Sequence, residues 1–145
     1  MVNGVKAALA VRLNLGMTHL GVKTAFLNGY LEEEVYMRQP EGFVKENESQ
    51  KVCKLKWAIY GLKQASRSWN KRIDEFLVKL GYKKSILEPC LYVKKSNDLM
   101  TVVALYVDDS FIYSNDDDNV MFLKNSLGSE FRIKDLGEAK RCLGM

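Results

Sequence analysis

The sequence predicts an α+β fold, an antiparallel sheet backed by two helices, and three observations carry that expectation. Apolar residues recur at helical spacing in two stretches, 66–80 and 118–128. Short β-branched and aromatic runs centre near residues 20, 104, 112 and 132. No repeat, low-complexity tract or Pro/Gly-rich linker divides the chain, which holds only two prolines, Pro40 and Pro89. With 145 residues, 47% of them apolar and 28% charged, residues 1–145 read as a single domain with a sizeable core, and disorder over most of the length is excluded.

Taken in order, Val5, Ala8, Leu9, Ala10, Val11, Leu13 and Leu15 with Gly16 just beyond predict a first helix over 3–15. Thr18 to Phe26 reads as extended and runs into a Leu-Asn-Gly turn at 27–29. Val35-Tyr36-Met37 is a short strand ended by Pro40 and Gly42, residues 45–51 form a polar loop, and Val52 to Leu55 is another strand. From Ser66 to Leu80, Trp69, Ile73, Phe76, Leu77 and Leu80 lie on one helical stripe that Gly81 caps. Leu91–Lys94, Thr101–Val107 and Phe111–Tyr113 are strands, the last two forming a hairpin with acids at its tip. Asp118 is the predicted N-cap of a helix carrying Val120, Leu123 and Leu127 and closed by Gly128; Phe131–Ile133 and Leu143 are short extended pieces. The strands near 20, 104, 112 and 132 and the helices near 73 and 123 give β-α-β-β-α-β, the ferredoxin-like order. Such sheets serve many chemistries, so function must be read from a site.

Charge narrows the function classes. Between Lys45 and Lys84 there are eleven Lys or Arg against four acids, +7; the rest of the chain holds eleven against fourteen, −3, including Asp108, Asp109, Asp116, Asp117 and Asp118 with no Lys or Arg among them. A basic block and an acidic block suit a protein that holds a polyanion beside a cation site. Cys53, Cys90 and Cys142 are odd in number and widely spaced, which excludes a full disulfide framework and zinc-type spacing and leaves buried reduced thiols. His19 is the sole histidine, so neither a Cys/His metal cluster nor a Ser-His triad has a choice of bases, and a structural role is the default. No apolar run nears the roughly 18 residues of a membrane span and no signal peptide opens the chain, so the expectation is a soluble, unsecreted protein without a membrane partner.

The chemistry points to Leu105-Tyr106-Val107-Asp108-Asp109-Ser110. Two adjacent carboxylates at a hairpin tip are costly to hold together unless a divalent cation neutralises them, and their hard oxygens suit Mg2+. In phosphoryl transfer two such ions stabilise the attacking and leaving oxygens.

Five ordered blocks set the box in context: Gly21-Val22-Lys23-Thr24-Ala25-Phe26-Leu27-Asn28-Gly29; Val35 to Phe43; Leu55-Lys56 with Ala58 to Trp69; Tyr106 to Asp109; and Lys134-Asp135-Leu136-Gly137 with Leu143-Gly144-Met145. Together, over essentially the whole chain, they resemble the reverse transcriptase of copia-type LTR retrotransposons. The resemblance implies a palm with part of the fingers, the latter a hairpin insertion, with thumb, RNase H and integrase absent. It places Asp108 and Asp109 as catalytic, metal-holding carboxylates for two Mg2+ or Mn2+ ions. It implies nucleotide-binding roles for Phe26, packed under the incoming sugar, for Gln64, and for Tyr106 of the box. Lys63, Arg67, Lys71 and Arg72 are expected on template phosphates, and Leu143 and Gly144 begin the primer grip. The implied partners are an RNA or DNA template with primer, deoxynucleoside triphosphates and the remainder of the Pol polyprotein, in cytoplasmic particles.

One departure stands out. Where the family's block begins with the first catalytic Asp, this chain has Gly21, and no acid lies between Met1 and Tyr30. Loss of one of three carboxylates removes several kcal/mol of transition-state stabilisation, on the order of 10³-fold or more in rate. The expected activity, RNA-directed DNA synthesis, is therefore impaired or absent. A non-enzymatic nucleic-acid- or partner-binding remnant is the alternative from another class. A palm-like nucleotide cyclase is disfavoured, because it has no evident need for the Gln64 and Lys134–Gly137 blocks.

Overall fold

The computed structural model describes residues 12–138. In chain order it holds β1 (Gly16–Val22), a 3-10 turn (Ala25–Asn28), β2 (Tyr30–Arg38), β3 (Val52–Trp57), α1 (Ala65–Lys79), β4 (Lys83–Lys84), β5 (Leu91–Ser96), β6 (Leu99–Tyr106), β7 (Asp109–Ser114), α2 (Asp117–Glu130) and β8 (Ile133–Glu138). The chain divides into two compact units, residues 25–73 and the remainder, with the division falling inside α1.

The larger unit is built on a six-stranded sheet in the order β4-β5-β6-β7-β1-β8, every neighbouring pair antiparallel. Its central strand, β7, is buried on both faces from Ser110 to Ser114. Side chains alternate along a strand, so the register sorts them by face. Phe111 and Tyr113 share a face with Ala104 of β6, and Leu15, Met17, Leu91 and Val102 pack around them. The opposite face carries Leu20, Val22, Val103 and Ile112, all buried. There Asn119 of α2 donates to Thr101 Oγ1 at 2.8 Å and to the Tyr82 hydroxyl at 2.9 Å, tying the helix to β6. Burial pushes the Tyr82 hydroxyl up to about 12, so it stays neutral.

The first of the two helical stripes is built as the spacing predicts, α1 spanning Ala65–Lys79 with Trp69, Ile73 and Leu77 buried. Gly81 closes it at φ +88°: its N–H bonds the Val78 carbonyl at 2.9 Å while Tyr82 N–H reaches back to the Leu77 carbonyl at 3.1 Å. That paired closure requires a left-handed residue, which glycine supplies without strain.

Several boundaries differ from expectation. Only residues 12–15 of the expected first helix lie within the described residues, and of these Arg12 alone is helical. The extended stretch at 18–26 ends at Val22, because Thr24 turns at φ +51° and Ala25–Asn28 coil into the 3-10 turn. The cap of α2 is Asp116, not Asp118: its carboxylate accepts the Asn119 N–H at 2.9 Å, which leaves Asp117 and Asp118 inside the first turn, where the helix dipole favours acids. Gly128 does not end α2, which continues to Glu130. The extended piece at Leu143 lies outside the described residues.

The smaller unit pairs β2 with β3, Val35 opposite Leu55 and Arg38 opposite Val52. The strand expected at 35–37 is thus the end of a nine-residue one. Gln39 Nε2 donates to the carbonyls of Glu48 (2.7 Å) and Lys51 (3.0 Å), folding the polar loop onto itself.

Candidate active site

The Tyr-Val-Asp-Asp box is the turn of the β6–β7 hairpin, with Tyr106 paired opposite Asp109. Val107 sits at φ +57°, a conformation that β-branched side chains avoid. Asp108 is exposed, and its carbonyl accepts the Val22 N–H at 2.7 Å, which ties the turn to the end of β1. Asp109 is half-buried.

The β1–β7 register sets Gly21 directly opposite Asp109 and His19 opposite Phe111. By alternation Gly21, His19, Asp109 and Phe111 share one face. A Cβ added at Gly21 would lie 3.9 Å from Asp109 Oδ1 and 3.8 Å from Leu136 Cδ1, ordinary contact distances. Position 21, where the resemblance leads one to expect a third carboxylate, therefore opens onto Asp109 and has room for a side chain.

His19 holds the same carboxylate oxygen that faces position 21. Its Nε2–H donates to Asp109 Oδ1 at 2.7 Å, and its ring stacks on Phe111 with centroids 4.5 Å apart and planes 18° from parallel. The lone histidine carried no sequence signal beyond alternation with Gly21 along a strand. Only the pairing register brings it to Asp109.

Among the described residues no three His, Cys, Asp or Glu side chains converge as cation ligands. The donor set present, one exposed aspartate and one already bonded to imidazole, does not fit a two-ion site.

Lys134-Asp135-Leu136-Gly137 proves to be a structural device. Asp135 accepts from Lys124 Nζ (2.8 Å) and from Gly137 N–H (2.9 Å), and Gly137 takes φ +76° where β8 carries a bulge against Thr18–Leu20 of β1. The Lys124 hydrogen bond holds the Asp135 carboxyl below its usual range.

In the smaller unit Phe26 is half-buried on the 3-10 turn, its ring 5.2 Å from that of Tyr60. Gln64 is half-buried just before α1, and its carbonyl accepts the Ser68 N–H at 2.9 Å. Lys63 and Arg67 are exposed. Lys71 is ion-paired with Glu32, whose carboxyl it holds low with help from Arg67. Arg72 lies over the Tyr30 ring, 5.4 Å from its centroid, and Tyr30 in turn stacks on Trp57 at 4.2 Å. Leu143 and Gly144 lie outside the described residues.

The family model for reverse transcriptase (RNA-dependent DNA polymerase) matches residues 3–145. The chain is 45% identical over 139 residues to the retrovirus-related Pol polyprotein from transposon TNT 1-94 of Nicotiana tabacum, covering 95% of this chain and 10% of that one. It is 35% identical to the Pol polyprotein from transposon RE1 of Arabidopsis thaliana, covering 94% and 9%. It is 36% identical to a putative transposon Ty5-1 protein of Saccharomyces cerevisiae, covering 87% and 41%. The chain thus spans about a tenth of the length of the Pol polyproteins it matches.

Proposed function

Because the chain belongs to the copia-type reverse transcriptase family, we propose that it is the palm, with part of the fingers, of a retrotransposon Pol protein, and that it holds a primed template while its own polymerisation chemistry is impaired. The palm reading draws support from the sheet: β6, β7, β1 and β8 are adjacent in that order and antiparallel, the neighbours a ferredoxin-like β-α-β-β-α-β unit requires. The β2–β3 hairpin is the part assigned to the fingers.

The observation that carries the impairment is the register that sets Gly21 opposite Asp109. Reverse transcriptases as a family use divalent ions. Here Asp108 and Asp109 are short of the carboxylate that would complete an ion-holding set, so the turn gathers and positions cations less well. Phe26, Gln64 and Tyr106 keep the residue types expected to face an incoming deoxynucleotide. Lys63 and Arg67, both exposed, are the better placed of the four basic residues for template phosphates, since Lys71 and Arg72 already have partners within their unit.

The same register favours a second reading, a remnant that binds nucleic acid, or a protein partner, with no chemistry left. Fluorescence anisotropy with an RNA template carrying a DNA primer, repeated over salt, tests both together with primer extension. Binding that weakens with salt, with a slope reduced by about one on Lys63→Ala or Arg67→Ala, supports nucleic-acid holding. Residual extension roughly 10³-fold below that of an intact relative supports an impaired polymerase, and none supports the remnant. Extension at an intact relative's rate, or affinity indifferent to salt, sinks the proposal.

A further inference from the structure

The side chains of His19 and Asp109 meet across the β1–β7 pair. Asp109 Oδ1 is the carboxylate oxygen 3.9 Å from a Cβ built at Gly21, and it is this oxygen that accepts the His19 Nε2–H at 2.7 Å. The ring is stacked on Phe111, itself 4% exposed and part of the apolar cluster with Ala104 and Tyr113. A hydrogen bond to this carboxylate needs a proton on Nε2, which the Nε2-protonated tautomer and the doubly protonated ring both supply.

We propose that His19 is a positioning residue that holds Asp109 turned toward β1 and engages the oxygen facing position 21, so that a carboxylate restored at Gly21 holds a cation more tightly once His19 is released. This rests on reading the Asp108–Asp109 turn as a degenerate catalytic site. The reason is competition at one atom. Asp109 Oδ1 is the oxygen that faces position 21, and a charge-assisted N–H···O bond already engages it, so a cation drawn there by a carboxylate at 21 would compete with the imidazole for that oxygen. Adding Asp at 21 without removing the imidazole leaves that bond to be broken by the ion.

The test is Mn2+ binding by the full chain, read as paramagnetic broadening of amide resonances at 106–110, for Gly21→Asp, His19→Phe and the double variant. His19→Phe keeps a ring against Phe111 and removes the nitrogens; His19→Leu replaces it if the phenylalanine variant does not fold. The expected result is Mn2+ binding about tenfold tighter in the double variant than in Gly21→Asp alone, equivalent to ~1.4 kcal/mol. Equal or weaker binding in the double variant overturns the proposal. The imidazole nitrogen shifts of the parent chain give a readout independent of the ion: a proton fixed on Nε2 that becomes shared between the two nitrogens in Asp109→Ala is expected. If neither variant binds Mn2+, the catalytic reading of the hairpin fails, and the nitrogen shifts alone decide the positioning role. Shifts unchanged by Asp109→Ala overturn it.

Discussion

Val107 is a β-branched residue at φ +57° with its side chain more than half exposed, so its conformation costs energy that little burial offsets. The left-handed region costs an ordinary L-residue about 1–2 kcal/mol and asparagine less. Val107→Asn is therefore expected to raise the thermal midpoint by a few degrees, about 1 kcal/mol, in a melt followed by circular dichroism. An unchanged or lower midpoint would show that the turn is not strained. Such strain persists where surrounding structure over-determines it, and here the Val22 N–H bond to Asp108 and the Tyr106–Asp109 pair pin both sides of the turn. At this scale the sequence displayed Asp108 and Asp109, because two adjacent acids between apolar strands are conspicuous in one dimension. It did not display His19 as their neighbour, because that contact joins residues 90 positions apart.

Elements show a similar division. The α1 stripe and its Gly81 closure were legible because both are local: a periodicity, and a residue that tolerates positive φ. Gly29 of the Leu-Asn-Gly turn was legible as a turn residue but not for its actual reason. A Cβ there would lie 2.8 Å from Ser68 Cβ and 2.8 Å from Trp69 N at the start of α1, while the Gly29 carbonyl accepts the Ala58 N–H at 2.8 Å. The turn is thus clamped between a helix start and the residue after β3. Gly29→Ala must displace backbone, and a loss of about 1–3 kcal/mol is expected as a lowered urea midpoint with unchanged slope. A midpoint within error of the parent would mean the turn yields without cost. The α2 cap was misplaced by two residues because Asp116, Asp117 and Asp118 are equivalent in sequence, and only the chain's exit from β7 decides which carboxylate reaches the Asn119 N–H.

For the whole molecule, the charge pattern changes meaning once the chain is folded. Within the smaller unit Glu32 and Glu34, which precede the basic block in sequence, pair with Lys71 and Lys54 inside it. In the larger unit Lys84 Nζ (2.7 Å) and the Tyr92 hydroxyl (2.6 Å) bond Asp74; burial pushes that carboxyl up, but the two bonds outweigh it and hold it low. Asp135 is held low by Lys124. Carboxyls with folded-state values below the unfolded one, near 3.8, add stability that is complete above that pH and disappears as pH falls through the lower folded values. The urea midpoint is expected to hold above about pH 5 and to drop as pH falls below the unfolded value of 3.8, and to drop less in Lys84→Met/Lys124→Met. An equal drop in both proteins would assign acid sensitivity to other groups. No described helix is long and apolar enough to cross a membrane. By itself the sequence determined the family, the α+β class, the two helical stripes and the carboxylate pair, because periodicity, capping chemistry and ordered motifs are all local. Tertiary structure alone decided that Gly21 stands opposite Asp109, that His19 takes the oxygen facing it and that Lys71 and Arg72 are already engaged, because pairing register and long-range approach depend on how distant segments bury their shared apolar faces.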